Sequence, residues 1–245
     1  VTIWLYALCG EEADILPYFL RHYENQVDRI ILLDGGMDEA TVDVAMLRWN
    51  FPHIEECPFT HGGYDDRLFV EYAAEKYKEA RRHADWVVWV DVDEFLYTPI
   101  PLRDALDHYR GGEIHAVQCD GYQMVAPSFP EYTGEPLTSL VKVGAYDKIY
   151  NKVCAFDPML DVRWSVGRHS CDIDGLFPTP TGMKLLHYRY FGDEWLKARN
   201  ARNHARRSQK DIETGCGYHV APDYDGGRYS AAWYGEILKQ GREVI

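Results

Sequence analysis

The residues best suited to chemistry stand at the end of a short apolar run. Trp86-Val87-Val88-Trp89-Val90 stops abruptly at Asp91-Val92-Asp93-Glu94. Three carboxylates this close cannot all be buried without partners, because an ionised group taken out of water unpaired is strongly penalised. They require solvent, cations or a metal ion. Carboxylate oxygens suit magnesium or manganese, which bridge protein carboxylates to phosphate oxygens. In open α/β sheets ligands bind beyond the carboxyl ends of the strands, so the position of the run points the same way as its residue types.

Several chemistries compete for such a run. An acidic turn with no ligand is one. An EF-hand fails, since its sixth position is Leu96 where glycine is required and its twelfth is Leu102 where a bidentate Glu belongs. A haloacid dehalogenase-like phosphatase, with Asp91 as aspartyl nucleophile, shares the strand followed by D-x-D. Its motif, however, lies on the first strand, with Thr or Val two residues after the second Asp. Here two strand-helix units precede the run, Phe95 takes that place, and Gly192-Asp193-Glu194 is the nearest approach to a later Gly-Asp-Gly-x-x-Asp. A non-catalytic carbohydrate-binding module is a further alternative.

The elements that must position these carboxylates follow a strand-helix rhythm. Residues 2–8 form an apolar run, and residues 11–25 place Ile15, Leu16, Phe19, Leu20 and Tyr23 on one helical stripe. Residues 29–33 form a buried strand stopped by Asp34-Gly35-Gly36. A helical stretch at 38–49 ends at Phe51-Pro52, and residues 53–57 suggest a third strand. Residues 61–66 predict a loop, Phe69, Tyr72, Ala73 and Ala80 share a helix face, and residues 86–90 read as a central strand. This rhythm predicts an α/β fold with a largely parallel sheet covered by helices. Beyond Pro99, proline and glycine punctuate short aromatic segments, which predicts mixed strands and long loops. Residues 193–210 are helical and polar. Their Arg199, Arg202, Arg206, Arg207 and Lys210 either meet a phosphate or acidic sugar or form a solvated helix face, the plainer expectation.

Length and charge bound the function. A chain of 245 residues, 46% hydrophobic and 27% charged, can bury a real core. A net charge of −13 excludes nucleic-acid binding through a general basic surface, so any bound phosphate needs a local positive site. The longest apolar stretch is far short of the roughly 20 residues of a membrane-spanning helix. Six cysteines without a C-x-x-C pair argue against a zinc ribbon and predict free thiols in a reducing cytoplasm.

Cys9-Gly10-Glu11-Glu12 after the first strand, Asp34-Gly35-Gly36 after the second, and Val90-Asp91-Val92-Asp93-Glu94-Phe95 after a later one resemble the family 2-like nucleotide-diphospho-sugar transferases of the GT-A fold. The resemblance covers roughly residues 1–100. Asp147-Lys148-Ile149-Tyr150, Gly167-Arg168-His169-Ser170 and Leu186-His187-Tyr188-Arg189 extend it as shorter elements in matching order. It implies a Rossmann-like, mixed and mostly parallel sheet flanked by helices in a single domain over 1–245. Residues 1–98 would bind the nucleotide sugar, and 99–245 would form a loop-rich acceptor side with a C-terminal helix.

The resemblance further implies a metal-dependent glycosyltransferase that moves a sugar from a UDP-, GDP- or dTDP-sugar to a hydroxyl of a glycan or lipid-linked glycan, in the cytoplasm, where peripheral contact with a membrane face is compatible with it. Asp91, Asp93 and His187 would hold Mn2+ or Mg2+, while Glu11, Asp34, Asp65, Arg67, Asp91, Lys148 and Arg189 would line the donor site. A divalent cation would stabilise the charge left on the nucleoside diphosphate. Asp34 and one of Asp65 and Asp66 double as turn and helix-cap residues. An inverting reaction needs a general base for the acceptor hydroxyl. Candidates are Asp120, His169, Asp172 and Asp174.

Overall fold

Alternation of apolar side chains along the central strands gives a sheet with two buried faces. The computed structural model describes residues 1–48, 52–57, 63–221 and 230–245. The first strand β1 (Ile3–Cys9) leads into helix α1 (Leu16–Tyr23), then β2 (Arg29–Asp34), α2 (Glu39–Arg48), β3 (Pro52–Glu56), α3 (Asp66–Lys76) and β4 (Trp86–Asp91). Strands β1, β2, β3 and β4 are mutually parallel in the order β4-β1-β2-β3. Along β4 the period of two is plain: Trp86, Val88 and Val90 join Ile3, Leu5, Leu16 and Phe19 on one face, while Val87 and Trp89 join Tyr6, Leu33 and Phe69 on the other.

After β4 the chain makes a short return strand β5 (Glu94–Tyr97), helix α4 (Leu102–Gly111) and the long strand β6 (Ala116–Ala126). A short helix α5 (Leu137–Leu140), strands β7 (Val143–Tyr146) and β8 (Val153–Phe156), and the small hairpin of β9 (Arg163–Trp164) and β10 (Cys171–Asp172) follow. The long strand β11 (Thr179–Phe191), helices α6 (Asp193–Ala205), α7 (Gln209–Thr214) and α8 (Ala231–Gln240), and strand β12 (Arg242–Glu243) complete the described chain. The main sheet runs β12-β7-β6-β8-β4-β1-β2-β3, with β11 alongside β6 and β5. It is mixed, with most of its registered residue pairs parallel, and it is flanked by helices.

The region after Pro99 is more regular than its punctuation predicts, since β6 has 11 residues and β11 has 13. Gly121 reads as a break in the sequence but lies inside β6. A Cβ there would meet the Tyr150 backbone at 2.4 Å, so the glycine serves close approach of two chain segments rather than a turn. Residues 49, 51, 61 and 62, which bear on the predicted end of the second helix and the predicted loop, lie outside the described residues. All six cysteines are free thiols, four of them buried. No described helix is long and apolar enough to cross a membrane.

Helix α1 docks directly on the strand that follows the acidic run. The Tyr23 hydroxyl donates to the Glu94 carbonyl at 3.2 Å and accepts from the Leu96 amide at 2.8 Å. His22 Nε2 donates to the Leu96 carbonyl at 2.8 Å, and its ring packs against Phe95. Burial pushes the His22 imidazole down from 6.5 to about 4. The unfolded chain therefore takes up this proton first on acidification. Stability from His22 should be complete above about pH 6.5 and should be lost as pH falls toward 4. Urea melts across that range should show His22→Gln, which keeps a donor without the titration, losing less stability than the unmodified protein between the two limits.

Candidate active site

Strand register brings the carboxylates together before any side chain is considered. Leu8 lies beside Asp91, Cys9 beside Asp34 and Asp34 beside Glu56, so the four parallel strands end on one edge. The chain then turns through Val92-Asp93 into β5, which runs antiparallel to β11 with Glu94 opposite His187. Strand β11 in turn runs parallel to β6 with His187 opposite Gln123. The Tyr188 amide donates to the Asp93 carbonyl at 2.8 Å and fixes the turn against β11.

Each carboxylate of the run has its own cation. Arg199 of α6 donates from Nη1 to Asp93 Oδ2 at 2.7 Å and, from Nε and Nη2, to both oxygens of Glu12 at 3.1 and 2.7 Å. Lys152 pairs with Glu94, and the two side chains are 5% and 1% exposed. Arg168 pairs with Asp91, whose side chain remains 31% exposed toward the cleft. Arg168 adopts a left-handed φ of 55°, sparsely populated for a residue with a side chain, so this pairing is held at a backbone cost. Burial alone would raise the Asp93 carboxyl, but Arg199 and then His187 hold it well below the usual carboxylate range.

His187 is oriented through a chain of hydrogen bonds. Gln123 Nε2 donates to the buried carboxylate of Asp147 at 2.9 Å, which leaves the Gln123 carbonyl to accept from His187 Nδ1 at 2.6 Å. Nδ1 therefore carries a proton, and Nε2 faces Asp93 Oδ2 at 3.1 Å.

Glu12, Asp91, Asp93, Lys152, His187 and Arg199 line a cleft of about 250 Å³ at the carboxyl ends of the strands. Of the residues assigned to metal, donor or base in the sequence, Asp91, Asp93, His187, Arg189 and His169 line it. Arg189 is buried and donates to Asn200 Oδ1 at 2.7 Å. His169 Nδ1 lies 3.2 Å from the Ile149 carbonyl and so donates to it, which leaves Nε2 unprotonated, and burial and then Lys152 push the imidazole down from 6.5 to about 4.

The others lie off the cleft. Asp34 closes its own turn on the Gly36 and Met37 amides at 2.8 and 2.7 Å. Asp65 caps α3 through the amides of Arg67 and Leu68, and it is the neighbouring Asp66 that faces the cleft. Arg67 and Lys148 are exposed, as is Asp172, which with Asp174 pairs with Arg163 on the small hairpin. Neither Glu11 nor Asp120 lines the cleft.

Near misses in sequence explain two of these positions. Glu12 rather than Glu11 turns inward, because α1 begins only at Leu16 and the 11–15 segment is a turn, not the first turn of a helix. Lys152 rather than Lys148 is the buried lysine. The cationic stretch of α6 differs more. It is not a solvated face: Arg199 is 3% exposed, and Arg199, Arg206 and Arg207 all line the cleft, with only Lys210 fully outward among those five. No periodicity marks this, since the stretch is polar on every side and its partners lie far away in the chain. Residues from both halves of the chain line the cleft, Leu8 of β1 and Asp91 of β4 together with His187 of β11 and Arg199 of α6.

Among the described residues no three His, Cys, Asp or Glu side chains converge as a ready-made metal cage. The oxygen donor set fits an ion that keeps part of its water shell and takes one or two carboxylates plus ligand phosphates, as magnesium does.

No known family's sequence profile matches the chain, and no curated protein matches it. Solved structures do. One is glucosyl-3-phosphoglycerate synthase from Mycobacterium tuberculosis in complex with Mn2+ and UDP-glucose, at 20% identity over 50% of this chain and 43% of that one, with a TM-score of 0.36. The same enzyme with Mn2+, UDP and glucosyl-3-phosphoglycerate matches at 18% identity over 64% of this chain and 57% of that one, with a TM-score of 0.33. A third, described only as a mycobacterial protein, matches at 20% identity over 50% and 41% of the two chains, with a TM-score of 0.34. The chain thus spans 41–57% of the length of these structures.

Arg199 bridges two buried carboxylates, so its loss leaves both uncompensated. Arg199→Met should lower stability by about 3–5 kcal/mol in urea unfolding. Adding Glu12→Gln and Asp93→Asn to it should recover much of that loss, because the charges that needed the guanidinium are then gone.

Proposed function

We propose that this cleft is the donor site of a metal-dependent glycosyltransferase, which moves a sugar from a nucleoside diphosphate to the hydroxyl of a glycan or lipid-linked glycan. The observation that carries the reading is the meeting of Asp91, the partly exposed carboxylate of the acidic run, with a guanidinium wall at the carboxyl edge of four parallel strands. That combination suits a diphosphate and a divalent cation together. A phosphatase using Asp91 as nucleophile would need a nearby carboxylic acid to protonate the leaving group. Asp93 is ill suited to that, since Arg199 and His187 keep it ionised.

In this reading Asp91 would hold Mn2+ or Mg2+, with Asp93 and His187 beside it at the same cleft wall. When bound, the ion offsets charge on the departing nucleoside diphosphate. The chain's own groups do the rest. Arg199 and Lys152 keep Asp93 and Glu94 ionised and immobile, so no side chain need reorganise as charge develops. His169 Nε2 is the group we assign to take the acceptor proton, since Asp120 and Asp172 do not reach the cleft. Asp66 faces the cleft where the nucleoside of a UDP-, GDP- or dTDP-sugar would rest.

Thermal-shift measurements with UDP-, GDP- and dTDP-sugars plus manganese should show stabilisation by at least one. Asp91→Asn should reduce sugar transfer or donor hydrolysis by about 100-fold or more. If no nucleotide sugar shifts the melt of the unmodified protein, the reading is wrong.

A further inference from the structure

The charges of the cleft do not cancel in place. Glu12 and Asp93 share Arg199, Asp91 has Arg168 and Glu94 has Lys152. Arg206 and Arg207, at the junction of α6 and α7, are different. Arg206 donates to the Gly35 carbonyl at 2.9 Å and to Asn203 Oδ1 at 2.6 Å. Arg207 donates to the Asp211 carbonyl at 3.1 Å and lies 3.4 Å from His204 Nδ1. None of these partners is a carboxylate, and among the described residues the Nε of each arginine is buried without a hydrogen bond. Two adjacent, half-buried guanidiniums repel each other, and among the described residues neither has a carboxylate in ion-pair contact; the Asp211 carboxyl feels the Arg207 charge but gives it only a backbone carbonyl.

The junction is also rigid. The Tyr64 amide donates to the Arg206 carbonyl at 2.7 Å, and the Ser208 amide donates to the Tyr64 carbonyl at 2.8 Å. Gly63, at φ 91°, approaches the Arg207 carbonyl so closely that a Cβ would lie 3.0 Å from it. On the other side the Arg206 guanidinium rests on Gly10, where a Cβ would meet Nη1 at 1.7 Å. Two strand ends are thereby left bare of side chains beneath a fixed cation.

We propose that Arg206 and Arg207 form a preorganised phosphate seat that binds the diphosphate of the donor directly, with or without a divalent cation. The forked guanidinium matches phosphate oxygens, and its contact with Gly10 and Gly35 places the seat over the ends of β1 and β2, on the nucleotide side of the cleft. The phosphate chemistry stands on the two arginines; only its assignment to a nucleotide rests on the function proposed above.

The test is calorimetry with inorganic pyrophosphate and with UDP, GDP, dTDP and their nucleosides, each in manganese and in EDTA. The unmodified protein should bind pyrophosphate and one nucleoside diphosphate under both conditions. Arg206→Gln combined with Arg207→Gln should weaken both at least tenfold and leave the nucleoside within twofold. Arg206→Lys with Arg207→Lys, which keeps charge but not the fork, should fall between and serves if the glutamine pair does not fold. Gly10→Ala should weaken diphosphate binding by displacing Arg206 without changing charge. Pyrophosphate binding without any nucleotide binding would support the seat while removing the glycosyltransferase reading. Nucleotide binding that is unchanged in the arginine variants, or that vanishes wholly in EDTA, would overturn the seat and leave that reading intact. Binding of neither ligand by the unmodified protein would overturn both.

Discussion

The cleft depends on one guanidinium. Arg199 reaches from α6 across to Glu12, beyond the end of β1, and to Asp93, beyond the end of β4, with all three side chains nearly inaccessible to water. A buried carboxylate without a cation is strongly penalised, and two of them close together would repel each other as well. With Arg199 in place, the ends of two neighbouring strands can each present an acid to the same space. Helix α6 is thereby tied to the sheet by charge as well as by the burial of Leu196.

The same logic repeats at lower cost around the motif. Lys152 answers Glu94 and Arg168 answers Asp91, so a four-residue acidic run is balanced by cations from three distant segments. Only Asp91 keeps an accessible side chain. A local excess of acid thus becomes one usable carboxylate, while its neighbours become fixed charges that shape the field around it. Because their partners are rigidly held, that field is already present before any ligand arrives.

Backbone geometry makes these pairings possible. Strand β11 lies between β5 and β6, so a single register sets Glu94, His187 and Gln123 side by side. Gln123 then passes orientation from Asp147 to His187. Glycines complete the arrangement where segments must touch: Gly121 under Tyr150, and Gly10 under Arg206. In both places a methyl group would separate what the cleft needs in contact.

Much of the fold was legible in the sequence, because each early element carries its own local signal. Apolar runs closed by Asp34-Gly35-Gly36 or by Asp91-Val92-Asp93 mark strands and their ends, and the stripe Leu16, Phe19, Leu20, Tyr23 marks the helix that covers them. The acidic run and its place at a strand end needed nothing more than order along the chain. The long strands β6 and β11 were not legible, since a glycine that permits close approach cannot be told from a glycine that turns until the approaching segment is known. Nor was the choice of Glu12 over Glu11 or Lys152 over Lys148, because one residue or one turn decides which side chain faces inward. The guanidinium wall of α6 was the least visible of all. Ion pairing across 106 and 187 residues of sequence has no periodicity. Composition and patterning determined the sheet and the acid at its edge; only the tertiary structure decided which cations meet that acid and which remain for a ligand.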